Sequence, residues 1–183
     1  EILLLGLLAR AADAGEGIHD DVFRRDDPGP EQGGERQDGA GRVTAGGGGE
    51  LFFTCTSGGA GQYGQIMRYL ASPHEGTAAE ARAPGQLELF VESRDPLLFD
   101  YADNLTVAPW GHLIVCEDRQ YGRVNHLRAI TPEGRSYTLA RLNAATELAG
   151  ACFSPDGRVL FVNAYSPGRT LAITGPWESA VSN

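Results

Sequence analysis

The sequence predicts an all-β fold: a β-propeller of four-stranded antiparallel blades, present as an incomplete set of about three. The first observation is the stretch 103–118, DNLTVAPWGHLIVCED, in which a Pro-x-Gly turn ending at Gly111 separates two apolar runs. Such a turn between aliphatic runs is typical of a β-hairpin. The second observation is that ACFSPDGRVLFVNAY repeats this plan, with its turn glycine at Gly157. The two glycines are separated by roughly 40 to 50 residues, which is the usual length of one propeller blade.

The chain divides into three parts by composition. Residues 1–18 begin with an apolar run, 2–8, and we interpret them as a partial blade or a divergent segment. Residues 19–49 are rich in Gly, Asp, Arg and Pro, and they bury too little apolar surface to offset the entropy of ordering. We therefore interpret them as a loop or linker, in which Val43 could begin a strand. Residues 50–183 hold the predicted blades, and because the chain begins at Glu1 without Met, we interpret it as the C-terminal part of a longer protein.

Ten strands are predicted in the third part, because each of its apolar runs is bounded by Gly, Pro, Asn, Asp or other polar residues. The predicted strands span 51–56, 65–69, 86–91, 105–107, 113–116, 127–130, 137–141, 151–153, 159–163 and 171–177.

The composition argues against one class of partner. The formal net charge is −9, and all 15 basic residues are arginine, with no basic stripe along the chain. An acidic surface of this kind argues against nucleic acid as the partner. The excess of acidic side chains suits either cation binding or simple solubility. No apolar run reaches the length of a membrane span, so a membrane partner is not expected.

The cysteine and histidine patterns predict no classical metal site. Cys55, Cys116 and Cys152 are widely spaced, so they form neither a disulfide framework nor a CxxC motif. We predict buried thiols, with a disulfide between neighbouring strands as the alternative. The four histidines lie in loops or beside turns without ligand spacing, and we expect them at the surface.

A longer series of segments resembles the C-terminal portion of the PhoX-type alkaline phosphatases. The segments are FFTCTSGG, GQIMRY, LELFVES, ADNLTVAPWGHLIVCED, ELAGACFSPDGRVLFVN and PGRTLAITGPW, which together cover about residues 46–177. The resemblance implies a six-bladed propeller, exported by the Tat route and hence periplasmic or secreted. It also implies hydrolysis of small-molecule phosphate monoesters, with calcium and iron as cofactors at the central opening.

The candidate metal ligands lie where the innermost strands of a propeller would begin. These strands line one central channel, so the side chains at their starts should converge. Asp103 and Asn104 precede Leu105 and Glu147 precedes Ala149, while Glu16, between two glycines, is a further candidate if its segment opens a blade. Carboxylate and amide oxygens are hard ligands suited to calcium, and carboxylates also bind ferric iron. No catalytic side chain is assigned.

Two further acidic residues lie at the end of the next predicted strand. Glu117 and Asp118 follow the apolar run 113–116. The innermost strand of a blade lies between them and the channel, so a solvated strand end and a metal ligand are both consistent with their position.

One departure from the family pattern leaves alternatives open. The family carries an arginine two residues before the glutamate of an Arg-x-Glu-Gly motif, and if Glu16 is that glutamate, Ala14 occupies the arginine position. The alternatives are a calcium-binding propeller without catalysis and a calcium-dependent lactonase or esterase propeller. A second type of metal ion would distinguish the phosphatase from the lactonase. Because ligands from other blades would be missing, we expect residues 1–183 alone to be inactive.

Overall fold

The computed structural model describes residues 10–11, 44–45, 50–119 and 124–177. This part of the chain is built from short β-strands, with a 3-10 turn at Glu80–Arg82. No helix in the described ranges is long and apolar enough to span a membrane.

Every strand predicted beyond residue 50 is present, with shifts of one to three residues at some ends. The strands are β1 (Arg10–Ala11), β2 (Thr44–Ala45), β3 (Glu50–Cys55), β4 (Gln65–Leu70), β5 (Gln86–Glu92), β6 (Ala102–Val107), β7 (Leu113–Glu117), β8 (His126–Ile130), β9 (Ser136–Arg141), β10 (Leu148–Phe153), β11 (Val159–Ala164) and β12 (Arg169–Thr174).

Two strand boundaries differ from the prediction in an informative way. β6 begins at Ala102, so Asp103 and Asn104 lie inside the strand rather than before it. β12 ends at Thr174 and not at Trp177. The sequence after Thr174 is Gly-Pro, and a proline cannot donate to a strand ladder, which accounts for the early end.

The strands form three antiparallel sheets of four strands each, which confirms the all-β prediction. The first sheet has the order β2-β3-β4-β5, the second β6-β7-β8-β9, and the third β10-β11-β12-β1. The third sheet thus takes its fourth strand from the beginning of the chain, through the pairing of Arg10 with Ala172. We call the end at which β4, β6, β8 and β10 begin the upper end, and the opposite end, with the hairpin turns after β6, β8 and β10, the lower end.

The three Pro-x-Gly turns at the lower end have a common geometry, as their shared sequence predicts. Gly111, Gly134 and Gly157 have φ angles of 85°, 77° and 71°. In each turn the glycine N–H donates to the carbonyl oxygen three residues earlier. Only glycine adopts this left-handed conformation without steric cost, so the turn sequence alone determines where the hairpins form.

Two apolar cores separate the three sheets, and β7 contributes to both. All five residues of β7 are buried. Leu113 and Val115 belong to the core between the first and second sheets, whereas Ile114 and Cys116 belong to the core between the second and third. A strand covered on both faces cannot alternate apolar and polar residues, which explains the continuous apolar sequence at this position.

The cysteines agree only in part with the expectation of buried thiols. No disulfide joins any of the three. Cys116 is buried, Cys55 is half-buried, and Cys152 is exposed. The expectation is wrong for Cys152 because its side chain lies on the face of the third sheet that no described sheet covers.

An aromatic cluster lies at the lower end, between the second and third sheets. The Trp110 and Trp177 rings stack with their centroids 5.4 Å apart, and Phe153 packs against both edge-on. The His112 Nδ1 lies 2.9 Å from the Tyr137 hydroxyl. His112 is therefore half-buried among aromatic rings and not at the surface, contrary to the expectation, and burial lowers the pKa of its imidazole.

This burial predicts a pH-dependent stability. In the unfolded chain the His112 pKa returns to its ordinary value of about 6.5, above the folded value, so the unfolded state binds the proton more readily. The free energy of unfolding should therefore be unaffected by this group above about pH 6.5 and should decrease as the pH falls below it. Urea denaturation at about pH 7.5 and about pH 5 would measure the difference in the free energy of unfolding between the two pH values. This difference should be smaller in the His112→Gln variant. An identical difference in the two proteins would contradict the assignment to His112.

Candidate functional site

Asp103 and Asn104 lie at the upper end, in a β-bulge at the start of β6. The pairing of β6 with β7 shifts register between Ala102 and Asn104, so Asp103 is the extra residue of the bulge. The Asn104 Nδ2 lies 3.4 Å from Asp103 Oδ2, and both residues are half-buried. Bulges change the direction of side chains and are frequent beside functional sites. The start of β6 is therefore a suitable location for metal ligands.

Asn104 also joins the start of β6 to the start of β10. Its Oδ1 accepts a hydrogen bond of 3.0 Å from the backbone N–H of Gly150. Gly150 has a φ of 63° and lies in the second bulge, between Ala149 and Cys152 of β10. A Cβ at this position would lie 2.7 Å from Asn163 Nδ2, so the contact and the positive φ both favour glycine. The bond brings together the two strand starts that the sequence predicted to converge.

Glu147 directly precedes β10 and is held through its backbone. Its carbonyl oxygen accepts a 3.1 Å hydrogen bond from the N–H of Tyr165. The carbonyl oxygen of the preceding Thr146 accepts a 2.8 Å bond from the amide of Asn125, which is almost fully buried. Within the described part of the chain, no hydrogen bond or ion pair engages the Glu147 carboxylate. The main chain is therefore fixed while the carboxylate stays available.

The donor chemistry at the upper end fits calcium, but the number of donors falls short of a full site. Asp103, Asn104 and Glu147 provide carboxylate and amide oxygens, the ligands that calcium prefers, and calcium usually takes six to eight oxygen atoms. No group of three His, Cys, Asp or Glu side chains in the described ranges is arranged to hold a metal ion. Glu16, the remaining predicted ligand, lies outside the described residues.

Glu117 is neither a solvated strand end nor a free carboxylate. It is completely buried, and its Oε1 accepts a 2.7 Å bond from Arg128 Nε. Its Oε2 lies 2.8 Å from His126 Nδ1 and accepts a further bond from the backbone N–H of His126. His126 is thus a partner of a buried carboxylate, and the expectation of a surface histidine is wrong here. This cluster connects the end of β7 to the start of β8.

A second buried carboxylate lies in the chain before β6. Asp100 is 4% exposed, and its Oδ2 accepts a 2.8 Å bond from Arg119 Nε. The backbone N–H of Arg119 donates to Asn125 Oδ1 at 2.7 Å, and the N–H of Asp118 donates to the carbonyl oxygen of Tyr101 at 2.8 Å. These bonds connect the segment before β6 with the end of β7.

Sequence reasoning missed most of these buried polar residues. The sequence marks Glu117 as either a solvated strand end or a metal ligand, and it does not single out Asp100, Arg119, Asn125 or Arg128. One signal was present, because Arg128 interrupts the apolar run of β8, and a charge at a core position needs a buried partner. No comparable pattern marks Asp100, since it lies in a loop.

Comparison with known proteins gives one match. A family model described as alkaline phosphatase PhoX matches residues 12–168. The match begins upstream of residue 46, where the segments carrying the resemblance start, so it includes Glu16. It covers β2 to β11, whereas β1 and β12 of the third sheet lie just outside it. No curated protein and no solved structure matches the chain.

Proposed function

Because the chain belongs to the PhoX alkaline phosphatase family, we propose that it hydrolyses small-molecule phosphate monoesters at a calcium- and iron-containing site at the upper end. The observation that carries the proposal is the family match over residues 12–168, most of the chain. Family membership supports a phosphatase-like function in general. The Asn104–Gly150 bond supports the proposed location, because it joins the start of β6 to the start of β10, the strands at whose starts Asp103 and Glu147 lie.

The proposed site assigns a role to each candidate ligand. Asp103 and Glu147 provide anionic oxygens from neighbouring sheets, and Asn104 provides a neutral oxygen whose orientation the Gly150 N–H fixes. When bound, calcium and iron neutralise the negative charge of the phosphoryl group and favour an oxygen nucleophile near neutral pH. Asp103 and Asn104 are half-buried, so they are partly shielded from bulk water. Glu16 is proposed as a further ligand from the N-terminal segment.

The proposed architecture is a six-bladed propeller in which the three sheets are consecutive blades. Each sheet has four antiparallel strands, and the second sheet packs against both others, as successive blades do. On this proposal β2, β6 and β10 are the innermost strands, and the upper end opens on the central channel. We also propose a periplasmic or secreted location, for which the family resemblance is the support.

A calcium-binding propeller without catalysis is the second candidate. If Glu16 is the glutamate of the family motif, Ala14 favours this candidate, because it then stands where the motif has an arginine that would bind phosphate in a bidentate manner. A calcium-dependent lactonase or esterase is the alternative within the enzymes, and it would need no iron.

The test compares two aspartate variants in the protein expressed from its complete native gene. We expect calcium and iron to co-purify with the protein and p-nitrophenyl phosphate to be hydrolysed. In the Asp103→Ala variant, metal content and phosphatase activity should each fall roughly tenfold or more. Asp156→Ala is the matched control, because this exposed aspartate at the lower end accepts bonds from Ser154 Oγ and the Arg158 N–H and only shapes its turn. Elemental analysis and steady-state kinetics give the two readouts.

Each other outcome selects an alternative. Calcium without iron, together with lactone hydrolysis, would identify the lactonase. Calcium without any turnover would identify the non-catalytic binder. Metal content and activity that do not change in the Asp103→Ala variant would remove Asp103 from the site.

A further inference from the structure

The first sheet has an apolar face that no described sheet covers. Two rows of paired side chains cross this face, one formed by Phe53, Met67 and Leu89 and the other by Leu51, Tyr69 and Leu87. The core with the second sheet lies on the opposite face, to which Phe52 and Ile66 belong. Leu87 and Leu89 are 59% and 48% exposed. Contiguous exposed apolar residues of this kind mark an interaction surface.

The third sheet has a second uncovered face. Cys152, Phe161 and Ala172 form a row across it, and Cys152 is exposed. The alternating positions Leu160 and Val162 belong instead to the core with the second sheet. The array of three sheets therefore has an uncovered face at each of its two ends.

The path of the chain indicates which sheet follows which. β5, at one edge of the first sheet, leads to β6, at the edge of the second, and β9 leads to β10 of the third in the same way. β1, at the corresponding edge of the third sheet, leads to β2 of the first. The same step thus goes from a third sheet to a first sheet. Residues 12–43 separate β1 from β2, too few for a further blade of about 40 to 50 residues.

We propose that two copies of this chain pair about a two-fold axis, with the uncovered face of each first sheet packed on the uncovered face of the other copy's third sheet. Six sheets then close one ring. Both copies contribute both faces, so two equal contacts form and the assembly is closed, whereas an unclosed contact between different faces would grow into a filament.

The area of the faces is sufficient for a stable dimer. Strands about 4.8 Å apart, with six residues of about 3.3 Å rise each, give a four-stranded face of about 300–380 Å². Two contacts bury four such faces, about 1,200–1,500 Å² in total, which lies within the range of specific protein interfaces.

Pairing also supplies the donors that the candidate metal site lacks. One copy provides three side chains, Asp103, Asn104 and Glu147, whereas calcium usually takes about six to eight oxygen atoms. In a two-fold ring the upper ends of both copies open on one channel, so the second copy contributes the same three side chains again. This sharing of the metal site rests on the proposed function, whereas the packing of the apolar faces does not.

The experiment measures the oligomeric state of the protein expressed from its complete native gene, by light scattering and sedimentation equilibrium. We expect a dimer both after chelator treatment and with calcium, because the apolar faces form the contacts. Leu89→Asp introduces a charge on the first sheet and Cys152→Lys introduces one on the third. Each should raise the dissociation constant of the dimer roughly hundredfold or more, because every dimer buries the new charge twice.

Two controls separate the contact from folding and from charge alone. Leu97→Asp adds the same charge at an exposed leucine between β5 and β6, on neither face, and should leave the dimer unchanged. Circular dichroism and urea denaturation check that the variants are folded, and Leu87→Asp, in the neighbouring row, repeats the test on the first sheet.

Mixing the two monomeric variants identifies which faces meet. In a mixed dimer both new charges lie in one contact, and the other contact has only native residues, so an equimolar mixture of Leu89→Asp and Cys152→Lys should recover the dimer. Pairing of two first sheets would not recover, because that contact would still contain the Leu89→Asp substitution. A monomeric wild-type protein, an open-ended polymer, a dimer that neither variant weakens, or no recovery on mixing would each overturn the proposal.

The outcome is distinguishable from that of the proposed function. Dimerisation through these faces in a protein without phosphatase turnover would keep this inference and reject the phosphatase. A monomer with bound calcium and iron and with phosphatase turnover would do the reverse.

Discussion

Replacing Glu117 with glutamine is expected to lower the free energy of unfolding by about 3–5 kcal/mol. The carboxylate is completely buried between Arg128 and His126, and the Arg128 side chain is itself only 8% exposed. Removing the negative charge leaves a buried guanidinium without its counter-charge, which is a large cost in a low-dielectric environment. Urea denaturation of the wild-type protein and the variant at the same pH measures the difference.

Two further proteins make the Glu117 prediction specific. Glu133→Gln is the matched control, because Glu133 and its partner Arg135 are both mostly exposed and water screens their charges, so the free energy of unfolding should hardly change. A Glu117→Leu, Arg128→Leu double variant should recover much of the lost stability, since replacing both charges leaves no unpaired ion. A loss below about 1 kcal/mol in Glu117→Gln would show that the buried cluster is not an energetic unit.

Replacing Phe99 with alanine is expected to cost about 3–5 kcal/mol. Phe99 is the largest of the fully buried side chains, and it belongs to the core between the first and second sheets although it lies outside any strand. Truncation removes apolar burial and leaves a cavity that the neighbouring strands cannot fill. Its carbonyl oxygen also accepts a 2.5 Å bond from Ser93 Oγ, which is fully buried, so the segment is tied at two points. Thermal or urea denaturation measures the effect.

The matched control for Phe99 is its near neighbour Leu97. Leu97 is 76% exposed, and its replacement by alanine should change stability by no more than about 0.5 kcal/mol. The loss of stability in Phe99→Leu should lie between the losses in Phe99→Ala and Leu97→Ala, because leucine retains part of the side-chain volume. Similar losses in Phe99→Ala and Leu97→Ala would mean that the segment before β6 is not anchored in the core.

The order of the strands was predictable because their signals are local. Each hairpin at the lower end depends on a proline that sets φ and a glycine that adopts a positive φ within the same few residues. The apolar run of β7 likewise predicted a strand whatever covered it, and all its residues proved to be buried. Local signals also placed Asp103, Asn104 and Glu147 at strand starts, and the Asn104–Gly150 bond confirmed that β6 and β10 begin close together.

The environments of the polar residues were not predictable, because they depend on which segments pack together. Glu117 and Asp156 are both acids beside strands, yet one is completely buried with two partners and the other is exposed in a turn. Asn125 looks like a loop residue in sequence, but its amide binds both Arg119 and the carbonyl oxygen before Glu147. None of these contacts leaves a periodic pattern, since each joins residues from different strands or loops.

The sequence by itself determined the all-β class, the strands from residue 50 onward and the turns between them, because strand patterning and turn chemistry act over a few residues. The family followed separately, from the resemblance of several segments in their order along the chain. Only the tertiary structure decided that Phe99 is a core residue, that β1 completes the third sheet, and that Asp100 and Glu117 are buried beside arginines. Burial and pairing of charges depend on contacts between segments distant in sequence. The free-energy cost of an unpaired buried charge then decides which of those contacts must form.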